Sequence, residues 1–153
     1  MKRLPVLHEE IDARVAAVVA ARPDWPCRRG CDDCCRSLAE PPRITEAEWT
    51  LLREAIAALP AERLARVEAA FAARLAGEEL RACPLLEDGA CSVYAARPLA
   101  CRTYGFYLGR DGGRWCARIE ERVASGACDD VIFGNHDAFA SRDERSLLEW
   151  YRV

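Results

Sequence analysis

Cys27-Arg28-Arg29-Gly30-Cys31-Asp32-Asp33-Cys34-Cys35 packs four cysteines into nine residues, and the reading of this stretch decides what the rest of the chain is for. A free cysteine standing alone behaves as a small buried hydrophobe. Four at such short gaps are poorly explained that way. They bring several soft sulfur donors onto one loop, where thiolates can hold zinc, iron or an iron–sulfur cluster. Such a loop needs a scaffold on either side and further ligands from elsewhere in the sequence.

Upstream, Leu7, Ile11, Val15 and Val18 or Val19 recur at helical spacing, with Glu9, Glu10, Asp12 and Arg14 between them. The pattern predicts a helix over Leu7–Ala21, ended by Pro23 and Pro26. Downstream, Pro41-Pro42 breaks the chain and Thr45 with Glu48 forms a capping-box signature. It opens a predicted helix with Trp49, Leu52, Ile56 and Leu59 on one face, stopped by Pro60. Leu64, Val67, Phe71 and Leu75 line a third helix, with Gly77 as its stop. These two helices read as an antiparallel scaffold without chemistry of their own.

From Cys83 the character changes. Glu87-Asp88-Gly89 is a turn signal between Cys83–Leu86 and Cys91–Tyr94. Pro98 suits the first turn of a short helix that carries Cys101. Tyr104–Leu108 and Arg114–Ile119, around a glycine-rich turn, predict a β-hairpin, and Ser141 with Glu144 predicts the start of a last helix holding Leu147, Leu148 and Trp150. With no repeat or linker, residues 1–153 read as a single, mainly α domain with irregular cysteine-bearing loops and a short β-hairpin.

Composition bounds the function classes. Apolar residues are 51% and charged residues 31% of the 153, an ordinary globular balance. The net charge of -3 argues against broad nucleic-acid binding, so no nucleic-acid partner is expected. No apolar run reaches the roughly 18 residues that span a bilayer, and none of signal-peptide length follows Met1-Lys2-Arg3. The reading is a cytoplasmic protein without membrane association. In a reducing compartment an odd count of nine cysteines points to metal or redox chemistry rather than disulfides.

The ligand candidates are Cys27, Cys31, Cys34, Cys35, Cys83, Cys91 and Cys101. Only Cys31 and Cys34 make a Cys-x2-Cys knuckle, which excludes a standard zinc ribbon but not a bespoke site. The adjacent Cys34 and Cys35 are not expected to reach one mononuclear centre together. Arg28, Arg29, Arg36, Arg97 and Arg102 lie near candidate ligands and would favour thiolates. Cys116, Cys128 and His136 stay open as additional ligands.

Taken together, the Cys27/Cys31/Cys34/Cys35 run, Cys83-Pro84-Leu85-Leu86, and Cys91-Ser92-Val93-Tyr94-Ala95-Ala96-Arg97-Pro98-Leu99-Ala100-Cys101-Arg102 resemble the YkgJ-like cysteine-cluster family. The resemblance covers residues 27–102 and implies chelation of zinc or iron by about eight cysteines. The family signature is Cys-x2-Cys-x2-Cys-Cys, whereas the first gap here is three residues. Three functional readings follow. One is an iron–sulfur centre serving an oxidoreductase or a protein-modifying enzyme. The second is a non-catalytic zinc module for protein interaction or metal storage, and the third is a thiol redox sensor. Whether the chain is an enzyme, and which substrate or protein partner it meets, stays open.

Overall fold

Pro5 falls in the first turn of a helix, where a missing N–H breaks no hydrogen bond, and the chain is helical from Leu4 rather than Leu7. The computed structural model describes residues 3–38, 40–78 and 81–152. In chain order its elements are α1 (Leu4–Ala21), α2 (Asp33–Arg36), β1 (Arg43–Ile44), α3 (Glu46–Ala57), α4 (Ala61–Leu75), β2 (Leu86–Glu87), β3 (Ala90–Cys91), α5 (Leu99–Thr103), β4 (Tyr107–Gly109), β5 (Gly112–Arg114), α6 (Ala117–Ala124), β6 (Gly134–Asn135), β7 (Arg145–Ser146) and α7 (Leu147–Tyr151). The fold is mainly α with small sheets, as the sequence predicts. No helix among the described residues is long and apolar enough to cross a membrane.

The elements gather into two compact units. The first holds the described residues within Met1–Arg29 and Leu99–Arg142, the second those within Gly30–Pro98 and Asp143–Val153. In the second unit, the Thr45 hydroxyl accepts the Glu48 N–H at 3.3 Å and the Glu48 carboxylate accepts the Thr45 N–H at 2.8 Å, so the predicted capping box forms. Leu52 and Ile56 of α3 and Val67 and Phe71 of α4 then share one core with Ile44, Leu85, Val93, Leu147 and Trp150. Tyr151 stacks on Phe71 with ring centroids 3.9 Å apart. The last helix begins later than the Ser141/Glu144 pair predicts. Arg145 and Ser146 are held extended as β7 against β1, so the helix starts after them, capped by Ser146 with Glu149.

In the first unit, β4 pairs antiparallel with β5 and parallel with β6. Ile11, Trp25, Leu99, Phe106, Tyr107, Ile119 and Cys128 form its core, with Trp25 and Ile119 fully buried. The predicted hairpin is present but shorter than Arg114–Ile119 suggests. Cys116 caps α6, and Ile119 and Val123, four residues apart, pack one helical face on the core.

This unit also buries charge. Arg102 is 5% exposed and bonds Asp12 at 2.6 Å. One turn earlier on α1, burial and then Arg102 hold His8 down at about 4, against the usual 6.5. Burial and then Arg114 hold His136 at about 4 as well. Both imidazoles are therefore neutral when folded. Below pH 6.5 the unfolded chain takes up protons that the folded chain refuses, so stability is full above pH 6.5 and falls as pH drops toward 4. Urea unfolding should need distinctly less denaturant at pH 5 than at pH 7. Imidazole NMR titrations near 6.5 in the folded chain would refute the assignment.

Candidate metal centre

Asp32, just before α2, accepts from Arg36 at 2.6 Å and ties the four-residue helix across its single turn. That turn carries Cys34 and Cys35. Their thiols are in hydrogen-bond contact, an arrangement open to one ligand with its neighbour beside it or to both serving a larger site. Cys31 lies just upstream, part-buried.

The other sulfurs of the second unit arrive on a hairpin. Asp88 (φ 49) and Gly89 (φ 78) both take left-handed backbone, which makes the two-residue connection a type I′ turn. Register pairs Glu87 with Ala90 and Leu86 with Cys91. Cys83 precedes β2, and its N–H donates to the Cys35 carbonyl at 2.6 Å, joining the stem of the hairpin to α2. Cys83 and Cys91 both pack against the core of the unit, so the core fixes their backbone.

Each hairpin cysteine opens the same local device. The N–H of Leu85 is directed at the sulfur of Cys83, and the N–H of Val93 at the sulfur of Cys91, two residues on in both cases. Donors aimed at sulfur favour a thiolate. Burial works the other way and wins in the protonated chain. It pushes Cys83 up to about 11, with Cys91 and Cys34 adding to the shift, and it raises Cys91. Contact with Cys35, then burial, raises Cys34. Arg74 near Cys83 and Arg97 near Cys91 oppose the rise. Binding a dication here would require several of these thiols to give up their protons together.

Of the arginines singled out from sequence, Arg97 does face a candidate ligand and also covers the Tyr94 ring at 3.6 Å. Arg36 serves Asp32, Arg28 bonds the carbonyls of Pro23 and Trp25, and Arg102 serves Asp12. Arg74, in the last turn of α4, carries no signal in the sequence that would have singled it out.

Cys27 and Cys101 lie in the first unit, with Cys116 and Cys128. The Cys27 thiol donates to the Tyr104 carbonyl at 3.4 Å. Cys101 sits part-buried on α5, and Cys116 packs against the core as the cap of α6. Cys128 is 4% exposed, in a loop that Arg22 ties down through the Ala127 carbonyl and Asp130. Thr103 donates its hydroxyl to the Leu99 carbonyl at 2.9 Å and lies 3.1 Å from His136 Nδ1.

None of the nine cysteines is in a disulfide. Sulfur donors from separate segments match the preference of zinc and iron, and the donor set of the second unit fits either metal. Among the described residues, no three Cys, His, Asp or Glu side chains stand close enough to grip one ion, so chelation requires the thiols to draw in. Comparison with curated proteins and with solved structures returned no match. The CxxCxxCC family, described as a putative zinc- or iron-chelating domain, matches residues 26–129, reaching past the 27–102 stretch to take in Cys116 and Cys128. Since that match covers more than half of the chain, the protein belongs to the CxxCxxCC family.

Proposed function

We propose that the second unit chelates zinc or iron through thiolates drawn from Cys31, Cys34, Cys35, Cys83 and Cys91. The observation that carries this reading is the joining of α2 to the cysteine hairpin by the Cys83–Cys35 backbone bond, with the Cys34, Cys83 and Cys91 thiols close enough to shift one another's ionisation. Cysteine swings on a single side-chain torsion, so closing on an ion asks for rotamer changes rather than a new backbone. Cys27 and Cys101 stay ligand candidates on the strength of the family motif. Residues 1–153 are read as one cysteine-cluster domain, because the family match runs through residues of both units.

A bound ion would cross-link α2 to the hairpin and add its binding free energy to folding. An iron–sulfur cluster on the same thiolates would supply electron transfer instead. The experiment is metal and acid-labile sulfide analysis, with an absorbance spectrum, on protein purified without oxygen from cells given zinc and iron. Stoichiometric zinc without colour supports a chelating or interaction module. Iron with sulfide and a broad visible band supports the redox reading. Protein that binds neither metal, even after reconstitution, overturns chelation and leaves a thiol sensor.

A further inference from the structure

Glu87 stands at the end of β2, between Cys83 and Cys91 in sequence and near the tip of the hairpin that carries both. Its carboxylate turns toward α4. Oε2 accepts from Arg63 Nε at 2.7 Å, Oε1 accepts from Arg66, and the side chain is only 11% exposed. Arg63 and Arg66 lie one turn apart on the same face of α4, so one carboxylate spans two guanidiniums.

Beside this bridge the hairpin and the helix share a pocket. A half-open pocket of about 390 Å³ is lined by Val67 and Ala70 of α4 and by Pro84, Leu86 and Glu87 of the hairpin. Leu85 and Val93 anchor the flanks of the hairpin in the core. On its other side the tip meets α2, since a Cβ on Gly89 would stand 3.6 Å from Asp32 Oδ2. The tip thus lies between α2 and α4, and Glu87 ties it to α4 by charge.

We propose that Glu87 is a positioning residue for the metal site, clamping the hairpin to Arg63 and Arg66 so that Cys83 and Cys91 are held in place against Cys34 and Cys35. The role rests on the chelation reading above. Ion pairs with half-exposed arginines contribute little to global stability, so loss of the clamp loosens the hairpin and leaves the fold standing. Of the three groups, Glu87 alone touches both arginines, so removing it or removing both arginines should have one and the same effect.

The test uses the full chain as wild type, Glu87→Gln, Arg63→Gln/Arg66→Gln, and the triple variant. Iodoacetamide labelling in the presence of a chelator, read by peptide mass spectrometry, reports access to each thiol. Cobalt(II) titration reports affinity and, through the visible ligand-field bands, coordination geometry. The expected result is labelling of Cys83 and Cys91 several-fold faster in all three variants with Cys128 unchanged, and cobalt affinity about tenfold weaker with shifted bands. The triple variant should lose no more than Glu87→Gln. Wild-type labelling rates and cobalt spectra in the variants would overturn the positioning role alone. A wild-type chain that takes up no cobalt would overturn the chelation reading, and this role with it.

Discussion

Alanine at both Cys83 and Cys91 is expected to abolish stoichiometric metal uptake by the second unit. The pair supplies every sulfur that the hairpin brings to the site, and no neighbouring cysteine can replace either, unlike Cys34, which has Cys35 beside it. Losing an outer partner of a ligand already costs 10- to 100-fold in metal affinity, so losing two ligands should cost well over about 100-fold. Competition against a chromophoric zinc chelator measures this directly. Far-UV circular dichroism without metal provides the control, because both side chains lie at the edge of a core that Leu85 and Val93 anchor independently. A double variant that keeps wild-type metal content would remove the hairpin from the site. Cys128→Ala makes the contrasting case, since it should keep metal in the second unit and cost only core stability.

The second large effect concerns the first unit. Gly105→Ala should lower its stability by about 3 kcal/mol, from left-handed backbone strain and overpacking together. Gly105 has φ +90, and an added Cβ would fall 2.6 Å from Cys27 Sγ and 2.7 Å from Cys27 Cβ. The backbone cannot yield freely, because the Gly105 carbonyl accepts the buried Trp25 indole N–H at 3.2 Å and the Gly105 N–H donates to Arg114. For a chain of this size the loss corresponds to a thermal shift of roughly 10 °C. Cys27→Gly in the same chain would relieve the collision but not the φ strain, so it should recover part of the loss. A Gly105→Ala variant melting within about 2 °C of wild type would show that the Cys27 segment moves aside at little cost.

The helical scaffold was legible because its signals are local. The Thr45/Glu48 box, the apolar rows on α3 and α4, and the Asp88-Gly89 turn each depend on a few consecutive residues, and each forms as read. The failures came where distant pairing decides the outcome. Ser141 with Glu144 matches the same capping rule as Ser146 with Glu149, and only the pairing of β7 with β1 selects the second. Arg114–Ile119 reads as a strand by composition. The chain turns helical after Cys116, and Ile119 reaches the core from a helical face.

The candidate site divides in the same way. The Cys27–Cys35 run and the hairpin cysteines stand out from their spacing alone. Arg74 and Glu87 look like ordinary surface charges until α4 and the hairpin are brought together, and Glu87 reads in sequence as part of a solvated turn. The aiming of the Leu85 and Val93 amides at the sulfurs two residues before them is a property of backbone direction, which residue types alone do not carry.

The β1–β7 pairing bears on how the protein is made. Ile44 lies opposite Arg145, roughly a hundred positions later, so β1 leaves the ribosome long before its partner strand exists. During that interval α3 and α4 can form from local contacts, while Trp150, whose indole bonds the Ile44 carbonyl, and Tyr151, which stacks on Phe71, are still being translated. The thiols of Cys31 to Cys91 are therefore synthesised well before the core behind them can close. Nascent chains stalled before Arg145 should leave these thiols more open to alkylation than they are in the folded chain.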